Sequence, residues 1–196
     1  MMEKDFNLDD FGIYDGISET IVTTNKGWTP NAAPMGIIRK KDKLFIRLFK
    51  GSNTYENVLA EKKLVVNITH DPILFVLATF TDLNDSDFDT KAFDGISISS
   101  LKEAQCWIAF KCVNSKLTNE AFISELVPIR AHLNKCKIRA PNRGFCGVIE
   151  ACIHATRYQL TEDEKYLKLI KAYGDIVEKC GGEAEKEAMK LIYEFL

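Results

Sequence analysis

The chain has 196 residues, of which 46% are hydrophobic and 28% are charged, and its formal net charge is -2. This length and composition allow one substantial core, with or without a helical appendage, so a disordered protein is excluded. The small net charge disfavours nucleic-acid binding, and we expect none. The longest apolar run, residues 73–80, is far shorter than the about 20 residues that cross a bilayer as a helix. The N-terminus lacks a secretory signal, so we expect a cytoplasmic protein without a membrane partner.

Cysteine and histidine spacing predicts neither disulfides nor a metal site. No two cysteines form a C-x-x-C pair, and the three histidines, at 70, 132 and 154, have no recognisable ligand spacing. The nucleophile elbow of hydrolases, the phosphate loop of P-loop proteins and the Rossmann glycine fingerprint are also missing. We therefore expect free thiols at all six cysteines: Cys106, Cys112, Cys136, Cys146, Cys152 and Cys180.

The N-terminal third of the chain has the alternation and turn residues of a β-meander. The pattern predicts a first strand at 18–24, a turn at Asn25 to Gly27, and a second strand at 31–39. In the third predicted strand, 44–49, Arg47 shares a face with two phenylalanines. A helix at 53–61 and a strand at 64–69 follow, which gives the order β-β-β-α-β.

The middle of the chain is less regular. The apolar segment 73–81 has no period that assigns it to a helix or a strand. Residues 82–94 carry five aspartates and read as an exposed loop, without the glycine and closing glutamate of an EF-hand calcium site. Strands are predicted at 105–115 and 127–134, and Pro128 places the latter at a sheet edge.

After Pro141 the hydrophobic period changes from two residues to 3.6, which predicts helices to the end of the chain. Gly181 and Gly182 separate the last two helices. We therefore expect a barrel domain over 1–140 and a C-terminal helical extension over 141–196 that packs on it.

A candidate phosphate site lies where the third strand leads into the first helix. Arg47 and Lys50 bring positive charge to the end of the strand, and a helix N-terminus with hydroxyls and amides beside it suits a phosphate. The same residues have a structural interpretation, because Ser52 or Asn53 can cap the helix and Arg47 can pair with a surface carboxylate.

The second predicted strand is unusual for its small side chains and proline between Asn31 and Gly36. A flat ligand could approach the backbone closely there. Tight packing within the barrel explains small residues equally well, and the residues alone leave both interpretations open.

Together these segments resemble a known family. The strands "ETIVTT", "NAAPMGI" and "LFIRLFKGS" and the helix "TYENV" are similar to the flavin reductase-like branch of the FMN-binding split barrels. They resemble more closely a family of uncharacterised archaeal proteins built on that barrel. The segments "NITHDP" and "PNRGFCGVIEACIHATR" extend the resemblance over most of the chain.

The resemblance implies an FMN-binding split β-barrel, of the α+β class with C-terminal helices, that forms a homodimer. It places the phosphate at the strand-to-helix turn and the isoalloxazine ring along the second strand. Flavin reductases of this type often carry an Arg-Lys pair before the threonine, where this chain has Ser52 and Asn53, so charge neutralisation would fall on Arg47 and Lys50. The implied FMN-binding residues are Thr24, Asn31, Ala32, Ala33, Pro34, Met35, Gly36, Arg47, Lys50, Ser52, Thr54 and Asn57.

Two functional hypotheses follow from the resemblance. In the first, a reduced nicotinamide passes hydride to FMN, which then reduces an unknown acceptor, and no side-chain acid or base is required. In the second, the protein binds flavin without turnover, as an electron carrier or flavin chaperone. Because one fold hosts many functions, haem or a pyridoxine phosphate remains an alternative ligand. Packing is expected for His154, with its polar edge towards the surface, and core or interface positions for Trp28 and Trp107.

Overall fold

The computed structural model describes residues 7–93, 96–135 and 139–196. These residues divide into two compact units. The first unit lies within 1–69 and 83–137, and the second lies within 70–82 and 138–196.

The first unit is a closed barrel of six antiparallel strands in the order β1-β2-β3-β8-β7-β4. The strands β5 and β6 form a separate hairpin, and a single helix, α1, connects β3 to β4. The chain therefore begins with the predicted order β-β-β-α-β. The bounds are β1 Gly16–Lys26, β2 Thr29–Lys40, β3 Lys43–Phe49, α1 Asn53–Glu61, β4 Lys63–Ile68, β5 Phe88–Phe93, β6 Ile96–Leu101, β7 Cys106–Leu117 and β8 Ala121–Leu133.

Alternating side chains along the strands fill the barrel. In β3, Leu44, Ile46 and Leu48 are buried, while Arg47 and Phe49 face outwards, as the period of two predicts. Facing strands contribute further apolar residues to the same core, including the fully buried Phe110 of β7. The barrel interior is therefore a packed core rather than a channel.

The strand β2 pairs very unequally with its two neighbours. It pairs with β1 along its whole length, from Thr29 to Arg39, but with β3 only over Ile37–Lys40. Within the described part of the chain, the segment 29–36 thus has a sheet partner on one side alone. Pro30 and Pro34 lie in this segment, where a missing N–H group costs no ladder hydrogen bond. The barrel closes through Ile37–Lys40 of β2, and the two strands β2 and β3 separate before that point.

The second unit is helical. It contains α2 Pro72–Phe80, α3 Arg143–Thr161, α4 Glu164–Cys180 and α5 Glu183–Glu194. Their apolar faces form one core around Val148, Ala151, Ile170 and Ile192. A Cβ atom on Gly144 would lie 2.4 Å from the Gly181 Cα atom, so the start of α3 approaches the end of α4 too closely for any larger residue.

Side-chain caps explain where these helices begin. The Asp71 carboxylate accepts hydrogen bonds from the N–H groups of Ile73 and Leu74, and Pro72 occupies the first helical position. The Asp71 cap and Pro72 thus favour a helix for the apolar segment 73–81, which its hydrophobic period had not assigned to a helix or a strand. Asn142 and Asp163 cap α3 and α4 in the same way.

The structure corrects two expectations about the strands. The acidic stretch 82–94 is not simply a loop, because it contains a short 3-10 turn at Asp85–Asp87 and the strand β5; Asp94 lies outside the described residues. The strand that carries Pro128 is not an edge strand, since β8 lies between β3 and β7. Its pairing with β3 nevertheless ends at Leu126, so Pro128 falls in a part of β8 that extends beyond that neighbour.

Five of the cysteines belong to the described residues, and all five are free thiols. Burial raises the pKa of Cys106 and of Cys112 to about 11 and the pKa of Cys152 to about 12. These three thiols are therefore protonated at neutral pH and pack as small apolar residues. No described helix is long and apolar enough to cross a bilayer.

Candidate functional site

The N-terminus of α1 is held by a serine cap. The Ser52 hydroxyl accepts a hydrogen bond from the Tyr55 N–H group at 3.2 Å and donates one to the Phe49 carbonyl at 3.2 Å. The N–H groups of Asn53 and Thr54 make no hydrogen bond within the described part of the chain. The helix end therefore presents two unpaired donors, and the proposed capping role of Ser52 is what the structure shows.

Four of the predicted site residues form one polar cluster beside this helix end. We call Thr24, Asn31, Thr54 and Asn57 the Thr-Asn cluster. The Asn57 amide donates to the Thr24 hydroxyl at 3.1 Å, and the Asn31 amide donates to the Thr54 hydroxyl at 3.1 Å and to Thr24 at 3.5 Å. Thr24, Thr54 and Asn57 are buried and Asn31 is half-buried. These four residues therefore lie together, while their predicted role in FMN binding stays a prediction.

Local structure explains why the cluster forms. Thr24 and Asn31 are directly opposed in the antiparallel pairing of β1 and β2. Thr54 and Asn57 are three residues apart on α1, so they lie on the same side of the helix. The strand pair and the helix thus each contribute two side chains to one point.

The two predicted cations lie outside the cluster. Arg47 is half-exposed, forms an ion pair with Glu120 at 3.6 Å and stacks its guanidinium 5.0 Å from the centre of the Phe49 ring. Lys50 is exposed, and its backbone N–H donates to the Glu120 carbonyl at 3.3 Å. In this structure Arg47 therefore has the surface carboxylate partner that the structural interpretation requires.

The small residues of β2 have different surroundings. A Cβ atom on Gly36 would lie 2.8 Å from Ile17 Cγ2, so packing against β1 explains this glycine. The Met35 carbonyl accepts a hydrogen bond from Thr20 at 3.0 Å, and its side chain packs on the barrel core. The remaining predicted residues, Ala32, Ala33 and Pro34, are half-buried in the segment of β2 that, among the described strands, pairs with β1 alone.

Electrostatically, the Thr-Asn cluster is neutral and rich in donors. A threonine hydroxyl that accepts N–H groups still has its own proton to donate, and each amide also carries a carbonyl oxygen. Such a set recognises a ligand that has several neutral acceptors and donors along one edge. It offers no group that gains or loses a proton near neutral pH.

Two residues near the sequence motifs differ from expectation. His154 does not direct a polar edge to the surface: it is buried and lies between the rings of Tyr166 and Tyr173, at centroid distances of 5.9 and 5.6 Å. Desolvation lowers the pKa of His154. Trp107 is buried as expected, whereas Trp28 is 72% exposed at the β1–β2 turn and is not a core residue.

Sequence reasoning missed one contributor to the site region. Glu120, which pairs with Arg47, lies in the turn between β7 and β8 and reaches β3 only because β8 pairs with β3 to close the barrel. The N–H group of Asn53 is one of the two unpaired donors of α1, which agrees with the donors that the sequence places at the start of this helix.

Two family models match the chain. One, described as the N-terminal domain of a protein of unknown function (DUF447), matches residues 18–135. The other, described as a protein of unknown function (DUF447), matches residues 142–194. Together they include both the barrel and most of the helical unit.

Relatives match the chain over nearly its full length. Uncharacterized protein MJ1453 of Methanocaldococcus jannaschii is 30% identical over 192 residues, which cover 90% of this chain and 96% of the relative. The crystal structure of FMN-bound protein MM1853 from Methanosarcina mazei is 51% identical, with a TM-score of 0.92 over 97% of this chain and 100% of that one.

A more distant structure identifies the fold. Flavoredoxin from Methanosarcina acetivorans is 13% identical and has a TM-score of 0.52 over 63% of this chain and 72% of its own. The first unit therefore has the flavin reductase-like split-barrel fold, as the resemblance of its motifs predicted.

A valine in place of Thr24 tests the Thr-Asn cluster as a structural unit. Thr24→Val keeps the shape but removes the hydroxyl that accepts from Asn57 and Asn31. We expect the free energy of unfolding to fall by about 1–3 kcal/mol, because a buried amide N–H then lacks a partner. Urea denaturation measures this change. Thr24→Ser retains the hydroxyl and serves as the control; equal losses in both variants would contradict the role given to the hydroxyl.

Proposed function

Because the chain belongs to the DUF447 family, we propose that it is a flavoprotein that binds FMN and passes electrons from a reduced nicotinamide to a second acceptor. The observation that carries the proposal is the Thr-Asn cluster beside two unpaired donors at the N-terminus of α1. A relative that is 51% identical and matches along its whole length contains FMN. Both observations favour the same cofactor.

The start of α1 suits the phosphate group of FMN. Unpaired N–H groups at Asn53 and Thr54 and the positive end of the helix dipole attract an anion. Arg47 and Lys50 supply positive charge on the segment that leads into the helix. Because the Ser52 hydroxyl already donates to Phe49 and accepts from Tyr55, its contribution to FMN binding is to fix the helix end. We therefore assign the phosphate to this helix end.

The open side of β2 suits the isoalloxazine ring. The segment from Asn31 to Gly36 has small or half-buried side chains, and no strand covers one of its edges within the described residues. A flat ring can thus approach the backbone of Ala32, Ala33 and Pro34. The Thr-Asn cluster, at one end of this segment, can hydrogen-bond to polar atoms of the ribityl chain or of the ring.

When bound, FMN supplies the hydride and electron transfer. The chain's own residues then have the tasks of binding and orientation. The neutral cluster fixes polar atoms without competing for a proton, and the small residues of β2 leave room for a planar group. A site of this kind needs no side-chain acid or base, which accords with the uncharged cluster.

Comparing FMN with riboflavin tests the phosphate assignment. Arg47→Ala removes a half-exposed guanidinium, so we expect FMN affinity to fall about tenfold and riboflavin affinity to stay within about twofold. Fluorescence titration of both flavins measures the difference. Lys43→Ala, which removes another cation of β3 that is paired with Glu125, is the matched control and should change neither affinity. Equal losses of FMN and riboflavin in Arg47→Ala would mean that Arg47 supports the fold instead.

Turnover separates the two hypotheses about function. We expect the FMN-loaded protein to oxidise NADH or NADPH in the presence of an artificial acceptor. The loss of absorbance of the reduced nicotinamide measures the rate. Thr54→Val, which removes a hydroxyl of the Thr-Asn cluster, should lower both FMN occupancy and the rate. Full FMN occupancy without oxidation of either nicotinamide would reject the oxidoreductase and support the alternative, a flavin-binding or electron-carrier module.

We also propose that the protein is a homodimer. The partner-free edge of β2 and the exposed Trp28 at the adjoining turn are features that a second copy can cover. Tryptophan contributes strongly to interfaces because it buries a large area at a small entropic cost. A position in the dimer interface would explain why Trp28 is exposed in the single chain.

Sedimentation velocity tests the dimer. At micromolar concentration we expect a species of twice the 22.2 kDa chain mass. Trp28→Glu should shift the equilibrium towards monomer by at least about tenfold, because it places a charge in the interface. Leu160→Glu adds the same charge at a leucine of α3 that is 84% exposed, and it should leave the dimer intact. A wild-type monomer would contradict the proposal.

A further inference from the structure

A cavity outside the proposed FMN site lies against the outer wall of the barrel. It has a volume of about 360 Å³ and is bounded by the β5–β6 hairpin on one side and by β7 and β8 on the other. Trp107 and His132, which are paired across β7 and β8 with ring centres 5.9 Å apart, form part of its wall. This volume is at the lower end of the range of small-molecule sites.

The lining of the cavity is strongly basic. Lys91 from β5, Lys102 after β6 and Arg130 from β8 all border it, together with His132. Among the described residues of the lining, Asp89 is the one carboxylate, and its Oδ2 atom lies 2.5 Å from the Lys91 Nζ atom. The lining therefore carries a surplus of positive charge, in a chain whose overall net charge is -2.

Three separate chain segments bring these cations together, so their convergence is a property of the fold. Like charges around one concavity repel one another, and a low-dielectric wall such as the buried Trp107 ring increases that repulsion. The Lys102 ammonium donates to the Ser86 carbonyl at 2.6 Å, which fixes its position, and a carbonyl group has no net charge with which to neutralise the ammonium. A bound anion would relieve this repulsion.

We propose that this cavity binds a small multivalent oxyanion, a molecule that bears phosphate or carboxylate groups. Lys91 and Lys102 bind the anionic groups from the hairpin side, and the positive charge of Arg130 attracts them from the barrel wall. Ser100 also lines the cavity. The ligand is small because the hairpin and the barrel wall limit the space to that of a few linked groups.

This site is distinct in its chemistry from the Thr-Asn cluster. The cluster is neutral and buried, whereas Lys91, Lys102 and Arg130 are exposed and charged. The cavity can therefore bind its ligand whether or not FMN is present. Its test does not depend on the proposed electron transfer.

Titration with pyrophosphate and with citrate distinguishes the two kinds of oxyanion. The 196-residue chain carries two tryptophans, and Trp28→Phe leaves Trp107 as the reporter at the cavity wall. We expect a saturable change in Trp107 fluorescence with one of the two anions and an affinity that falls as ionic strength rises. The titration is repeated at saturating FMN, with calorimetry as the readout. Under these conditions the FMN phosphate already occupies the N-terminus of α1, so the added anion cannot bind there.

Variants of the lining identify the residues. In the Trp28→Phe background, Lys91→Gln and Lys102→Gln should each weaken binding about three- to tenfold. Lys111→Gln changes an exposed lysine of β7 that does not line the cavity, and it should leave the affinity within about twofold. Absence of a saturable response to both anions would overturn the proposal. So would an equal loss in all three variants, which would indicate a non-specific charge effect.

Discussion

The unequal pairing of β2 is the constraint on which the proposed FMN site depends. Full pairing with β1 sets Thr24 opposite Asn31, and β3 begins to pair only at Ile37, so among the described strands the intervening segment has a neighbour on one side alone. The barrel still closes, because β3 continues the sheet from Ile37 onwards and then pairs with β8. Because β2 pairs with β1 throughout and with β3 only at its end, it provides both a rigid backbone and an accessible edge. Two prolines in the open segment reduce its capacity to recruit further strands indiscriminately.

The helix α1 turns this open edge into a specific site. It follows β3 through a short turn, and the Ser52 cap fixes its first residues. Asn31 then joins the strand to the helix through its hydrogen bond to Thr54. Because the cluster is largely buried and its side chains bond to one another, their conformational entropy is lost on folding rather than on binding. A ligand that matches the cluster therefore binds to groups that are already ordered, which favours both affinity and selectivity.

Much of this arrangement follows from local sequence signals. Alternation along 44–49 and the serine before 53–61 are local patterns, and they identified β3 and α1 without knowledge of the rest of the fold. The features that were missed depend on distant contacts or on a competing signal. Glu120 reaches Arg47 only through the closure of the barrel, and β5 has too many polar residues for its strand period to be visible. The helix α2 is apolar on nearly all sides, so only its Asp-Pro start distinguishes it from a buried strand.

The same barrel unit thus combines two surfaces with opposite physical character. Side chains of the Thr-Asn cluster are neutral, short and ordered by hydrogen bonds, so they discriminate by geometry at close range. The basic cavity uses long side chains that are exposed and keep much of their freedom, so its attraction acts at longer range and is reduced by salt. A neutral cluster suits a cofactor that stays bound and whose reactive atoms must be held in place. An exposed basic lining suits a ligand that exchanges with solvent, because the ordering of each lysine offsets part of the electrostatic gain.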